Sequence, residues 1–492
     1  MLTFANPILP GSYPDPSICR VGADFYLVTS TFEWFPGLPV FHSRDLVHWR
    51  QLGHVLDRPE QLPLDGIRAS GGLYAPTIRH HDGVFYVVCT LVDGTAQSGN
   101  FLVTATDPAG PWSQPYWLGE EDSFDPSLLF DDDGRVWFHA ARPIDSAGHT
   151  EVWLRELDLE ARKLAGTEYV IWRGALLGAR WAEGPHLYRI GGFYYLLASE
   201  GGTFLEHAVS VARAREITGP YEGNPRNPVL THRHLGAAHP IGSTGHPDLV
   251  QTPRGDWWAV LLAVRPGHNL GRETFLTPVA WEDGWPVMTG VQQIETRPEL
   301  PEHRWPARPG FDTFEDAELG PQWNLLRTPR ERFWETGSGL VLRLRPEPLT
   351  ERGTPSLVAR RLRHAHFAAF AALDFRPAAP NECAGLVLMQ NDEHQIRFEI
   401  SPGVARLIRG DEQLAEAAVE SGLIRLAVEA HGQTYQFRLN GTDAGPPLDG
   451  SLLDHEQAGS FTGPYLGLYA TSNGLPSTTT ATFRHFDYRE LC

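Results

Sequence analysis

Tyr13-Pro14-Asp15-Pro16-Ser17-Ile18 sets a pattern that the chain repeats: a short polar residue, a proline, a polar residue and an aliphatic one. The pattern returns as Ala75-Pro76-Thr77-Ile78, Asp125-Pro126-Ser127-Leu128, Gly184-Pro185-His186-Leu187 and His246-Pro247-Asp248-Leu249. Each copy is followed by loop residues and an aromatic run: Phe25-Tyr26-Leu27-Val28, Phe85-Tyr86-Val87-Val88, Val136-Trp137-Phe138, Phe193-Tyr194-Tyr195-Leu196-Leu197 and Trp257-Trp258-Ala259-Val260. The motif prolines lie roughly fifty to sixty residues apart. A repeat of that order, built of several short strands, is the signature of β-propeller blades. The runs are rich in β-branched and aromatic residues and bounded by Gly, Asp and Pro, which predicts hairpins rather than helices.

In a propeller the first strand of every blade lines the central channel, so the position before each motif proline points at a shared axis. Those positions hold Asp15, Ala75, Asp125, Gly184 (with Glu183 one residue earlier) and His246. Three of the five repeats therefore bring a carboxylate to one place. Carboxylates that share a pocket resist ionising together, so their pKa values are driven apart. One carboxyl kept protonated beside another kept charged is what cleavage of a glycosidic bond needs. Asp-Pro and Glu-Gly also suit turns and strand starts. Three acids at equivalent positions of a repeat weigh against that alternative.

Gly11-Ser12-Tyr13-Pro14-Asp15-Pro16-Ser17, Thr29-Ser30-Thr31-Phe32-Glu33-Trp34-Phe35-Pro36-Gly37, Ser43-Arg44-Asp45-Leu46-Val47-His48-Trp49, Ser123-Phe124-Asp125-Pro126-Ser127-Leu128, Trp181-Ala182-Glu183-Gly184-Pro185-His186 and Leu270-Gly271-Arg272-Glu273-Thr274 together resemble glycoside hydrolase family 43. Within it they are most similar to the β-xylosidases that carry a C-terminal β-sandwich. The resemblance runs essentially from end to end. It implies an all-β chain: a five-bladed β-propeller catalytic domain over residues 1–297, a linker over 298–310, and a concanavalin-like β-sandwich (jelly roll) over 311–492 that contributes to the pocket mouth. The sequence agrees, since 298–310 is rich in Pro and Arg and short alternating runs follow it, among them Leu340–Leu344, Gly385–Met389, Gln395–Ile400, Ile424–Val428, Tyr435–Leu439 and Ala481–Tyr488.

The same resemblance assigns roles. Asp15 matches the general base, Glu183 the general acid, and Asp125 a third acid that orients the general acid and raises its pKa. His246 is similar to a histidine near the channel centre that contacts water or, in some members, a calcium site; its alternative is a hydrogen-bonded core histidine. Arg272 resembles an arginine that reaches sugar hydroxyls, the alternative being an ion pair with a neighbouring acid. Phe32 is expected to form an apolar wall, Tyr74 to stand where relatives often carry Trp, and Phe461 to enter the pocket mouth from the sandwich. No cofactor is required on this reading; a calcium ion near His246 is the one metal it leaves open. The implied reaction is exo-acting, inverting release of xylose from the non-reducing ends of β-1,4-xylo-oligosaccharides. An α-L-arabinofuranosidase of the same family and a non-catalytic sugar-binding propeller are the alternatives, and relatives imply a homodimer or homotetramer.

Composition narrows the field. A chain of 492 residues exceeds one ordinary core. A net charge of −19 argues against nucleic acid or an anionic membrane as partner, and 15 Trp and 14 Tyr suit both propeller packing and sugar stacking. No apolar run reaches the ~18–20 residues of a membrane span. The first repeat begins about 15 residues from Met1 without a charged-then-apolar leader, which predicts a cytoplasmic protein. Cys19, Cys89, Cys383 and Cys492 lie far apart without CxxC spacing and are expected to be free thiols. Asp131-Asp132-Asp133-Gly134 lacks the ligand spacing of a calcium loop and is expected to be a hairpin turn, as is Asn440-Gly441-Thr442.

Overall fold

The computed structural model describes residues 2–119, 122–175, 180–420 and 422–491, and these contain strands, turns and two short 3₁₀ segments but no α-helix. The aromatic and β-branched runs named above are the second strands of five antiparallel meanders. Each meander begins at a copy of the motif: Ser17–Val21, Thr77–His81, Phe124–Phe130, Glu183–Ile190 and Gly242–Gln251. Each of these strands packs against the next in chain order, and the fifth packs against the first, so the inner strands close a ring. Thr3–Ala5 pairs with Ile294–Thr296, which ties the start of the ring to its end.

The expected turns are present. Asp131 to Gly134 joins Phe124–Phe130 to Val136–Pro143, with the Gly134 N–H donating to the Asp131 carbonyl at 3.1 Å. Asn440 and Gly441 take φ of 50° and 88° between Thr434–Leu439 and Thr442–Asp443, the left-handed pair that a two-residue hairpin requires. Cys19, Cys89 and Cys383 are buried free thiols; Cys492 lies outside the described residues.

Residues 298–310 form no strand and run along the first meander, where the His303 N–H donates to Asp45 at 2.9 Å and Arg308 to the Gln51 carbonyl at 3.0 Å. Beyond them two sheets stack. Ser356–Arg361, Tyr465–Thr471, Cys383–Met389, Gln395–Ser401, Val404–Arg409 and Glu412–Ala418 form one in that order. The other centres on Thr480–Glu490, His366–Phe375 and Leu423–His431. Alternate residues are buried along Leu423–His431, as expected of a strand with one face on a core.

The two halves are joined tightly. Trp34–Phe35 pairs with Leu325–Leu326, Trp34 stacks on Tyr465 with ring centroids 3.6 Å apart, and Leu38, Leu62 and Leu73 share one apolar cluster with Phe333, Leu344 and Leu362. Gly271 and Gly463 meet backbone to backbone: a Cβ on Gly271 would lie 2.7 Å from the Gly463 Cα and N. Only glycine permits that approach.

Candidate active site

The motif acquires its chemistry from its backbone. Asp15, Asp125, Gly184 and His246, each followed by a motif proline, have φ of 56°, 53°, 55° and 50°. In the third, fourth and fifth meanders the ladder slips at the same place, between Phe124 and Ser127, Glu183 and His186, and Gly245 and Asp248. Such a bulge re-aims a side chain that regular pleating would direct elsewhere. Left-handed backbone at a non-glycine residue is uncommon, and such strain clusters at active sites as well as in turns. Gly184 shows why the fourth copy differs: a Cβ there would fall 2.8 Å from His246 Nδ1, so the acid moves one position back to Glu183.

Asp15, Asp125, Glu183 and His246 line a cavity of about 400 Å³. Asp15, Phe32, Tyr74, Asp125, Glu183, His246, Arg272 and Phe461 all contribute to its wall, so every site residue expected from sequence is brought to one place. Asp15 is fixed by Arg272, whose Nη1 donates to Oδ1 at 3.0 Å, and by the Ser30 hydroxyl, which donates to Oδ2 at 2.5 Å. Arg272 therefore does form an ion pair, and its partner is the proposed base. Arg272 Nη1 also donates to Thr203 Oγ1 at 2.9 Å, and Nε and Nη2 donate to the Phe461 carbonyl at 3.1 and 3.0 Å. Phe32, Tyr74 and Phe461 form an aromatic cluster, with centroids 5.5 Å apart for Phe32–Tyr74, 5.9 Å for Phe32–Phe461 and 6.1 Å for Tyr74–Phe461. The segment between Arg50–Leu56 and Gly72–Leu73 joins the cavity wall through Ser70, whose hydroxyl accepts the Phe461 N–H at 2.9 Å.

Electrostatics separate the three acids. Burial opposes charge on Asp15, but Arg272, His246 and the Ser30 hydroxyl outweigh it and hold this carboxyl below its ordinary value. Burial, aided by Asp15, pushes Asp125 up to about 6, despite His246 and the Gly184 N–H that donates to it at 3.0 Å. Burial and the charges of Asp125 and Asp15 raise Glu183 well above an ordinary glutamate. A single cavity thus shifts Asp15 and Glu183 in opposite directions.

His246 lies 3.9 Å through Nδ1 from Asp15 Oδ1, and its backbone N–H donates to Ser199 Oγ at 2.6 Å. Among the described residues no three His, Cys, Asp or Glu side chains are placed to share a metal ion, and the carboxylate beside His246 is already committed to Arg272. The cavity also holds residues that the sequence reading did not single out, notably Trp181, Thr203, Phe204 and His207. Trp181, 40% exposed at φ 52°, rests on Gly148, where a Cβ would come 2.9 Å from its ring. A bulky aromatic two residues before an acid was the one available signal. Thr203 and Phe204 follow a glycine pair outside the repeated motif, and nothing in the local pattern marks them.

A ring of meanders holding opposed carboxylic acids in an aromatic-walled pocket is the equipment of a glycoside hydrolase. The chain belongs to glycosyl hydrolases family 43: the model of that family matches residues 4–286, and the β-xylosidase C-terminal concanavalin A-like domain matches 311–489. It is 43% identical to a xylosidase/arabinosidase of Butyrivibrio fibrisolvens over the whole of both chains. It is 41% identical to a non-reducing end α-L-arabinofuranosidase of Bacteroides ovatus, over 99% of this chain and 95% of that one. Among solved structures it is similar to a xylan β-1,4-xylosidase from Bacillus halodurans, at 36% identity and a TM-score of 0.93, covering 99% of this chain and all of the other.

Proposed function

We propose that the protein is an exo-acting, inverting β-xylosidase that releases xylose from the non-reducing ends of β-1,4-xylo-oligosaccharides. The observation that carries this reading is the placement of Asp15, held by Arg272 and Ser30, and Glu183, buried beside Asp125, on one cavity that shifts their pKa values in opposite directions. Asp15 takes a proton from a water whose oxygen bonds to the anomeric carbon. As that bond forms, the bond from the anomeric carbon to the leaving oxygen breaks, and the leaving oxygen takes the proton of Glu183. Asp125 holds the backbone next to Glu183 and keeps its proton in place by like-charge repulsion. A base acting through water calls for ~6.5–9.5 Å between the two carboxyls and gives inversion. The closed cycle of inner strands supports five propeller blades over residues 1–297, joined through 298–310 to the sandwich at 311–492. A pocket roofed by Phe461 favours a chain end over a chain middle.

A second reading, α-L-arabinofuranosidase, is favoured by the names of two relatives, one carrying both activities and one the arabinoside activity alone. Aryl β-D-xylopyranoside and aryl α-L-arabinofuranoside assayed side by side separate the two. On the xyloside, proton NMR should show α-xylose before mutarotation, and β-xylose first would remove Asp15 from the role of base. Glu183→Ala should lose several orders of magnitude on xylobiose and far less on an activated aryl xyloside, whereas Asp15→Ala should lose both alike.

A further inference from the structure

Below the acids, the residue that follows each motif proline also turns inward: Ser17, Thr77, Ser127, His186 and Asp248 are all buried. One cation reaches four of the five copies. Arg79 Nη1 donates to Asp248 Oδ2 at 2.8 Å and to Ser17 Oγ at 3.2 Å, while Nη2 donates to His186 Nδ1 at 3.0 Å, Asp248 Oδ1 at 3.3 Å and Ser127 Oγ at 3.4 Å. Nη1 also donates to the Ile78 carbonyl at 2.9 Å within its own strand. Asp248, with no exposed side-chain surface, further accepts the Ser17 hydroxyl at 2.7 Å, the Ile18 N–H at 3.0 Å and the Tyr188 hydroxyl at 2.6 Å. Ser127 Oγ lies 2.9 Å from His186 Nδ1.

We propose that Arg79 is the positioning residue that sets the spacing of Asp15, Asp125, Glu183 and His246. Its contacts are near neighbours of those groups along the chain: Ser17 stands two residues past Asp15, Ser127 two past Asp125, His186 three past Glu183 and Asp248 two past His246. Each short connection runs through a motif proline, whose ring fixes φ, so a displacement at the clamp is passed to the acid with little slack. Arg79 itself comes from the copy with Ala75 before its proline, the one copy that brings neither an acid nor a histidine to the cavity. A planar fork with five donors can hold several strands at once, whereas the single ammonium of lysine cannot keep that geometry. Misplacement of reacting groups by about 1 Å can cost ~10²-fold in rate.

The clamp can also be reached from outside. Arg79 lines a second cavity of about 410 Å³ with Ile18, Leu128, Tyr188 and Leu249, so a small solute has a route to its position. The experiment compares Arg79→Lys and Arg79→Gly with the unaltered full chain on aryl xyloside, with folded protein measured by near-UV circular dichroism. Arg79→Lys is expected to lower kcat by ~10²-fold with KM within about threefold. Arg79→Gly is expected to regain activity with millimolar guanidinium but not with urea, which has the same shape without the charge. If Arg79→Gly fails to fold, the lysine variant decides. Wild-type kcat in Arg79→Lys, a loss that only tracks the folded fraction, a folded Arg79→Gly that guanidinium leaves inactive, or equal rescue by urea would each overturn the proposal. It rests on the roles given to Asp15, Asp125 and Glu183. If those roles are wrong, Asp15→Ala and Glu183→Ala stay active. If Arg79 alone is misassigned, both lose activity and Arg79→Lys does not.

Discussion

Asp125 shows how much the site costs the fold. An unfolded aspartate titrates near ~3.9, whereas Asp125 in the folded chain is pushed up to about 6. Between those values the native state holds a proton that the unfolded chain has lost. The stability from this group is complete below pH ~4 and disappears as the pH rises through about 6. Asp125→Asn should therefore be more stable than the parent at pH 8, by at most about 3 kcal/mol, and melt at a higher temperature, and the gap should close by pH 4. Thermal melts at both pH values check this. The same variant should be a poorer enzyme. Without the Asp125 charge Glu183 gives up its proton more easily, so the alkaline limb of kcat should move to lower pH, though burial, the larger cause, remains. An unmoved limb would remove Asp125 from its role. Asp15, Asp125 and His246 were legible in the sequence because each sits beside a recurring proline, and Glu183 because it stands one residue before that position. Thr203, Phe204 and His207 were not, because they reach the cavity from segments that no repeat marks.

The strands that carry Asp125 and Glu183 work only with their bulges. In the fourth meander the bulge is tight because Gly184 and the His246 ring occupy adjoining space, and any side chain at 184 would meet both a left-handed backbone and an imidazole. Gly184→Ala should cost about 1–2 kcal/mol from backbone conformation alone, and it should reduce kcat by displacing Glu183 and His246 together. Steady-state kinetics on folded protein tests this, and an unimpaired kcat would show that the contact is slack. The inner strands and their aromatic partners could be read from sequence because motif and alternation coincide. Several sandwich strands could not. Glu412–Ala418 is composed of Glu, Gln, Leu and Ala, strong helix formers, and His366–Phe375 is rich in Ala, yet both are strands. Ladder pairing overrides local preference in both, and in His366–Phe375 the burial of Phe367, Ala369 and Ala371 adds to it.

At the scale of the whole molecule, catalytic ring and sandwich are one piece. Arg272 leans on the Phe461 carbonyl while holding Asp15, and one apolar cluster runs through both halves. Residues 1–310 expressed alone should therefore be inactive on aryl xyloside, and calorimetry of the intact chain should show one unfolding transition rather than two. An active truncation would mean that Arg272 finds its place without Phe461. The pairing of Thr3–Ala5 with Ile294–Thr296 and the late arrival of Phe461 bear on how the protein is made. At ~5–20 residues per second, a ribosome that has just translated Asp15 needs on the order of tens of seconds to reach Phe461. Throughout that interval the nascent chain carries its base without the carbonyl that steadies it, so competence to cut sugar waits on translation of the sandwich.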